Sequence, residues 1–419
     1  RAAPSGSIGS RCRCIARLAF TCAYEKDRIP TRDPEAEQLY QHAKWLKKNN
    51  LLKPDPLVYP KIERLVRIAT AYGHDKANLE LREMLGEGTA HSQDIVKETL
   101  DLTDELIKRG IPGGYFDMGL YLERGYGLKQ DKDLALKYYR KSADMGSPEG
   151  QYVVAELLAP IDNAPEVARQ MRRCAAEQGH AKAGLALGIN LQGKERYPEA
   201  LQAFQLGAKA GEDTSASFLK KGFNGTGEKD EMYYLGQQKD EERYRRYEAI
   251  SHMLFAYSYL NPKVPEIDAI VPLPPAKLPP WDGTFQWLKA HEANVPPPLP
   301  TEERIREMAT AKNLDPETGR PLKQKKAEAP TPAKPVAVAT IPLGTVLASG
   351  TRCLQTGLWQ CNTPNALGGD RRHFSAGETL STVLVPVARS WLQKLKRAPQ
   401  NQLAETVWTL IELPKSTGA

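Results

Sequence analysis

At five positions spaced 32 to 37 residues apart within residues 59–223, a glycine is followed, four residues later, by a small residue. Gly73 leads to Ala77, Gly110 to Gly114, Gly146 to Gly150, Gly179 to Ala183 and Gly211 to Ser215. The steps between the leading glycines are 37, 36, 33 and 32 residues (110−73, 146−110, 179−146, 211−179). Each joint closes one helical pattern and opens the next. A glycine just past a helix end supplies the left-handed backbone that stops the helix. The small residue then lets the following helix pack close to its neighbour. Apolar stripes at helical spacing accompany the joints: Ile62, Leu65, Val66 and Ala69; Ile95, Leu102 and Leu106; Leu134, Tyr138 and Met145; Leu201, Phe204 and Ala208. One hairpin of this kind cannot bury its apolar face alone, so the pattern predicts a mainly α solenoid of stacked helical hairpins, a surface suited to gripping another protein.

The best-formed unit covers residues 115–146. It carries Met118-Gly119, Tyr121, Gly125, Gly127, Asp131, Ala135, Ala143 and Gly146. This matches the order Leu-Gly, Tyr, Gly-x-Gly, Asp, Ala, Ala-x-x-Gly, and so resembles the Sel1-like repeat, a relative of the tetratricopeptide repeat. The inner turn is weaker at Gly86 and Gly88, missing around residues 159–163, and partly restored at Gly188 and Gly193. The array therefore reads as four to five units, one good and the rest degenerate. Ahead of it, Asp33-Pro34 forms an N-cap followed by proline at N1. Leu39, Ala43 and Leu46 share a face behind it, as in a capping helix.

Beyond residue 223 the text changes. Residues 240–254 read as one more helix whose charges form a solvated face. Residues 262–300 hold 11 prolines in 39 positions, so this stretch is extended. It also carries Ile267, Ile270, Val271, Leu273, Trp281, Phe285 and Trp287. A free linker has no use for so many large apolar side chains, and a strap packed across the solenoid is expected; a ligand for a proline-binding domain is the alternative. Residues 301–313 form a short charged helix, and residues 323–340, rich in Lys, Ala and Pro, read as linker. After Ile341 the text is β-like, with strands expected at 357–361, 372–374, 382–385 and 406–412 and a short helix at 390–395. The domain plan is a leader at 1–22, the solenoid at 23–260, the strap with its helix at 261–313, a linker at 314–340 and a small β-rich domain at 341–419.

With 58 basic and 51 acidic residues the net charge is only +7, and no basic stripe marks a nucleic-acid surface. No run of about 18 apolar residues spells a membrane span. Arg1 to Ser10 read as a flexible leader. The stretch from Arg11 to Cys22 has the order of a lipoprotein signal, which makes Cys22 a lipidation candidate, although its apolar patch at Leu18–Phe20 is short. Cys353 and Cys361 flank a run centred on Gly357, where a turn would bring them together as a disulfide in an oxidising compartment. Cys174, in a helical pattern, reads as a small buried hydrophobe. No spacing of His and Cys suits a metal, and no cofactor is expected. His42, His74 and His180 are each followed by x-Lys, as in the His-x-Lys-x4-Asp motif of phospholipase D enzymes. The carboxylate position is Asn49, Leu81 and Leu187, so these histidines read as surface or joint residues and the chain as no enzyme.

Three further segments carry a narrower resemblance. They are Ala23-Tyr-Glu-Lys-Asp-Arg-Ile-Pro30, the run from Pro262 to Asp268 with Val271-Pro-Leu-Pro-Pro275, and Trp281-Asp-Gly283. Across residues 23–321 the chain is similar to bacterial Sel1-repeat immunity proteins paired with type VI secretion phospholipase effectors, particularly of the phospholipase D type. The resemblance implies a periplasmic protein, lipid-anchored if Cys22 is acylated and monomeric when free. Such a protein binds its cognate phospholipase and blocks lipid hydrolysis. The alternative is a Sel1-repeat adaptor for a signalling or envelope-assembly complex.

Overall fold

All five joint glycines have left-handed backbones, with φ of +78° at Gly73, +71° at Gly110, +104° at Gly146, +88° at Gly179 and +108° at Gly211. At two of them a second piece of chain passes so close that no side chain fits. A Cβ on Gly146 would stand 2.7 Å from the Tyr24 carbonyl carbon, and one on Gly211 would strike the Pro262 carbonyl oxygen. The computed structural model describes residues 19–159, 164–225, 227, 232–322, 341–364, 366, 370–386 and 401–413. The leader with Cys12 and Cys14, most of the 159–163 gap, the 323–340 linker and the expected helix at 390–395 lie outside the described residues. The chain divides into two compact units, Arg1–Leu322 and Lys323–Ala419.

The hairpins of the first unit are α1 (Pro34–Asn49) with α2 (Tyr59–Ala71), α3 (Asp75–Glu87) with α4 (Ile95–Lys108), α5 (Pro112–Arg124) with α6 (Lys132–Met145), α7 (Pro148–Leu158) with α8 (Pro165–Glu177), α9 (Ala181–Gln192) with α10 (Tyr197–Lys209), and α11 (Asp213–Gly222) with α12 (Glu241–Ala256). Odd-numbered helices neighbour one another in one layer and even-numbered helices in the other. The expected cap is present: Asp33 accepts from the Ala36 amide at 2.9 Å, with Pro34 in the first turn of α1. The stripes on α2 and α10 are buried as expected. On α6 the buried residues are Ala135, Tyr139, Ser142 and Ala143, one position on from the expected Leu134 and Tyr138. Ile95 likewise sits at the surface rather than in the stripe. Small residues face inward on α6 because α5 approaches closely at Gly119, where a Cβ would lie 2.7 Å from the Tyr139 ring.

The proline-rich segment is a strap, and it spans the array from end to end. It is not extended throughout as expected: α13 (Ile267–Ile270) and α14 (Gln286–Ala293) form where prolines are absent, and α15 (Glu302–Ala311) follows. Ile267, Ile270, Val271 and Phe285 are buried with Leu201, Phe204, Leu219 and Tyr247 in the core of the last hairpins. Ile305, Met308, Ala309 and Leu314 are buried with Leu39, Ile62, Val66 and Leu81 in the core of the first. Between these anchors, Trp45 donates to the Asn294 carbonyl at 3.2 Å and the His42 Nδ1–H to the Pro297 carbonyl at 3.1 Å. Residues 314–322, expected to be linker, belong to this unit. Leu314 bridges to Pro321, and Arg320 donates to the buried carboxylate of Glu63 at 2.9 Å and 3.1 Å.

The charged helix α12 differs from its expected role. Arg243 and Arg246 are buried, not solvated. Arg243 donates to the carbonyls of Pro272 and Ala276, and Arg246 to those of Ile270 and Pro279. A proline-rich strap has few N–H groups with which to join a ladder, while its carbonyls still need donors. The two guanidinium groups supply them.

The second unit holds a four-stranded antiparallel sheet in the order β1-β6-β2-β3, formed by β1 (Val346–Ala348), β2 (Gly357–Cys361), β3 (Arg371–Phe374) and β6 (Val407–Glu412). A hairpin of β4 (Val383–Pro386) and β5 (Asn401–Ala404) forms a second sheet. Trp359 and Trp408 are fully buried in its core, with Phe374 edge-on to Trp408 at 4.9 Å.

Replacing Gly211 by Ala should lower stability by about 2 kcal/mol, from left-handed strain and displacement of the strap. Urea unfolding of the variant measures this, and an unchanged midpoint would mean that Pro262 does not cross this joint.

Candidate protein-binding surface

The odd-numbered layer is tied together through polar side chains. Arg82 of α3 is buried; its Nε donates to Asn78 Oδ1 at 3.0 Å, and its terminal nitrogens donate to Tyr121 Oη at 3.0 Å and Asp117 Oδ2 at 2.7 Å on α5. Lys47 of α1 reaches Glu80 of α3 at 2.6 Å. Even so, several carboxylates of this layer and its edge are held above their ordinary range. Burial pushes the Asp117 carboxyl above its ordinary range despite Arg82, and nearby Glu149 adds to the rise. Glu83 is exposed, yet partial desolvation raises it, with Glu80 and Glu87 adding to the rise against Lys47 and Arg82. Glu25 is raised by burial, with Glu149 and Asp75 adding to it against Lys76. Glu212 is raised by burial and by Asp213. Among these carboxylates the same layer exposes Leu79, Leu157 and Ile189. A mixed acidic and apolar face of this kind favours a protein partner that presents cationic and apolar groups together. The chain's net charge of +7 does not offset it: residues 323–419 hold 12 basic and 5 acidic residues (12 − 5 = +7), leaving the first unit neutral overall.

Residues 19–33 run along the joint edge of this layer. Phe20 is buried among Leu122, Tyr139 and Val154. The Ala23 carbonyl accepts from Gln151 at 2.8 Å, and Tyr24 donates to Glu177 at 2.7 Å. The Glu25 amide donates to Gln178 Oε1 at 2.7 Å, and Arg32 pairs with Asp75 at 2.6 Å. Between this segment and the hairpins lies a cleft of about 780 Å³, lined by Tyr24, Glu25, Arg32, Lys76, Pro148 and Glu177 among others.

The cysteines are arranged differently from expectation. Cys22 is bonded to Cys174, 152 residues away, with their Cα atoms 5.9 Å apart. Cys174 is buried as expected, but as half of a cystine, and the Cys22 sulfur is thereby committed to that bond rather than to a lipid. Cys353 and Cys361 are buried free thiols. They do not meet because Gly357 opens strand β2 instead of turning the chain, and Cys361 ends the same strand. Gly357 is needed for closeness: a Cβ there would stand 2.6 Å from the Glu412 carbonyl oxygen. The Cys353 thiol instead points to the Gln355 carbonyl at 3.0 Å. No local signal could have revealed the Cys22–Cys174 pairing, since it depends on how the hairpins stack.

His74 and His180 are joint residues with a defined task. Each caps the following helix: the Ala77 amide donates to His74 Nδ1 at 3.0 Å, and the Ala183 amide to His180 Nδ1 at 3.1 Å. His74 Nε2 donates to Glu37 at 2.9 Å. An imidazole accepting at Nδ1 must be neutral there. Burial holds both rings below the ordinary histidine value, against the opposing pull of Glu37 and Asp75 on His74 and of Glu149 on His180. Among the described residues no group of three or more His, Cys, Asp or Glu could hold a metal ion, and no helix is long and apolar enough to cross a membrane.

A family model described as a domain of unknown function, DUF6396, matches residues 215–322, from α11 through the end of the strap. No curated protein matches the chain. Among solved structures the chain is similar to immunity protein Pa5087 from Pseudomonas aeruginosa, with 28% identity over 61% of this chain and 95% of that chain at a TM-score of 0.48. It is also similar to immunity protein PA5088 from the same organism, with 27% identity over 61% and 94% at a TM-score of 0.49. A Sel1 repeat protein from Oxalobacter formigenes has 17% identity over 52% and 87%, with a TM-score of 0.38. The chain resembles Sel1-repeat and immunity proteins.

Two outcomes are expected. Peptide mapping without reductant should find Cys22 linked to Cys174, with Cys353 and Cys361 open to alkylation after denaturation; a Cys353–Cys361 crosslink would contradict this. The second concerns pH. The folded state depresses the His180 pKa, so its contribution to stability is complete above the unfolded value of 6.5 and is lost as the pH falls. The raised carboxylates act with the opposite sign, from their ordinary values of 3.8 and 4.5 upward. Asn also caps helices but does not titrate. Between pH 7.5 and 6.0 the urea midpoint of His180→Asn should therefore fall less than that of the unaltered protein, and equal falls would show that the ring is not a neutral cap.

Proposed function

We propose that this protein is an immunity protein: it binds a toxic effector protein through the face of its odd-numbered helices and blocks it. This is the role named for two of the Pseudomonas proteins above. What carries the reading in this chain is the face itself. Asp117, Glu83, Glu25 and Glu212, raised by desolvation and by other carboxylates beside them, sit with exposed Leu79, Leu157 and Ile189 on a layer clasped at both ends. A rigid surface loses little freedom on binding, which favours tight association. Within this reading the effector is a type VI secretion phospholipase of the phospholipase D type, as the segments at residues 23–30, 262–275 and 281–283 suggest. The site of action is the periplasm, and a cystine linking two distant parts of the first unit suits an oxidising compartment. Of the three His-x-Lys sites that superficially match such a phospholipase, His74 and His180 act as helix caps and His42 holds the strap at Pro297, which fits an inhibitor better than a second copy of the enzyme.

If a phospholipase of this type is encoded beside its gene, mixing the two purified proteins should give a stable complex and abolish lipid hydrolysis at equimolar ratio. Glu83→Lys and Ile189→Asp, both at exposed positions, should each weaken the complex at least tenfold, about 1.4 kcal/mol, with an unchanged melting temperature. Binding without inhibition would assign the chain to the adaptor class instead, and no binding would remove the immunity reading.

A further inference from the structure

The Cys22–Cys174 cystine does more than mark a compartment. Cys174 is fully buried in α8, whereas Cys22 is only half-buried and lies in the segment that walls the 780 Å³ cleft. Apart from the sulfur bond, the first half of that segment is held by Phe20, by backbone packing of Ala23 and Tyr24 on Gly146, by the Lys76–Glu25 ion pair at 3.6 Å and by a few edge hydrogen bonds: Arg140 to the Ala19 carbonyl, Gln151 to the Ala23 carbonyl, Tyr24 to Glu177 and the Glu25 amide to Gln178. Most of these are solvent-exposed or part-buried, the kind that open first in local unfolding. The second half is fastened separately, by Arg32 to Asp75 and by the start of α1. A segment anchored firmly at one end and by a single covalent bond near the other is built as a latch.

We propose that Cys22–Cys174 is a thiol–disulfide latch that fixes residues 19–31 as the outer wall of the cleft when oxidised and frees them when reduced. The inference concerns the fold alone and does not depend on the immunity reading. Opening follows ordinary exchange chemistry. A thiolate of a dithiol reductant attacks the more accessible Cys22 sulfur, and the electron pair of the S–S bond leaves on Cys174, which takes up a proton. The second thiol of the reductant then displaces Cys22 as a thiolate, which is protonated in turn, and the reductant closes to its own disulfide. Two electrons and two protons pass to the protein. Closing is the reverse, with a disulfide oxidant. The hairpins need not respond, because the glycine joints, the strap and the four buried clusters of the first unit contain no other described sulfur bond.

Amide hydrogen exchange on the full chain tests this, with and without dithiothreitol. The Glu25, Arg28 and Ile29 amides are hydrogen-bonded in the closed form, to Gln178 Oε1, the Glu25 carbonyl and the Glu25 carbonyl respectively. On reduction the peptide covering residues 19–31 should exchange at least tenfold faster, while peptides from α5 to α10 keep their rates. Cys22→Ser should show the same fast exchange without reductant. Since Cys353 and Cys361 are already thiols, Cys353→Ser should leave the reductant effect intact. Unchanged exchange in residues 19–31, or acceleration spread evenly through the hairpins, would overturn the latch.

Discussion

A stack of helical hairpins leaves an apolar face open at each end, and one segment of this chain covers both. Residues 262–322 begin in the core around Phe204 and Tyr247 and finish in the core around Ile62 and Leu81. In most repeat arrays the two ends are closed by separate capping elements. Here the last hairpin and the first are covered by parts of one segment, so loosening either end draws on the other. The rest of the first unit depends on this. The cleft, the polar ties of the odd-numbered layer and the covered joint at Gly211 all assume hairpins whose ends are held.

The strap's composition follows from that task. Between its three short helices the strap is extended, and since a helix gives only 1.5 Å per residue, those stretches span their distance with fewer residues. Prolines keep it extended without inviting another strand, at the cost of unpaired carbonyls. Arg243 and Arg246 answer those carbonyls from α12, while Glu242 and Asp240 hold the two guanidinium groups in place. Arginine suits the position better than lysine, because its planar fork can serve several acceptors at once. Aromatic stacking continues the seam: Trp287 lies over His291 at 5.2 Å, and Tyr257 meets both rings.

Local rules were legible in the sequence wherever a single residue type had no substitute. The joint glycines, the Asp33-Pro34 cap and the strap's apolar anchors all follow from backbone conformation or composition. The strands around Trp359 and Trp408 follow from β-propensity in the same way. What could not be read depends on neighbours distant in the chain. The α6 stripe is displaced by one position because Gly119 of α5 brings Tyr139 inward. Arg243 and Arg246 read as solvated because their partners are carbonyls, which no side-chain pattern announces. The cystine was misassigned for the same reason. Cys353 and Cys361 are near in sequence, but Gly357 serves close strand packing instead of a turn, while Cys22 and Cys174 meet only once four hairpins have stacked. The proposed binding face was not legible either, because the shifts of its carboxylates arise between elements, as where Glu149 acts on Asp117 and Glu25.

The same distinction bears on how such a surface can be specific. An acidic stripe on a single flexible helix would attract many cationic partners weakly and with strong salt dependence. Carboxylates divided among Glu25 of the N-terminal segment, Glu83 of α3, the Arg82-paired Asp117 of α5 and Glu212 before α11 have a spacing set by the packing of these elements. That spacing survives only if successive hairpins do not slide or uncoil. The Arg82 ties between α3 and α5 fix it locally, and the strap fixes it across the whole array. Specificity in this fold therefore rests less on any one contact residue than on the rigidity that a segment outside the repeats imposes on them.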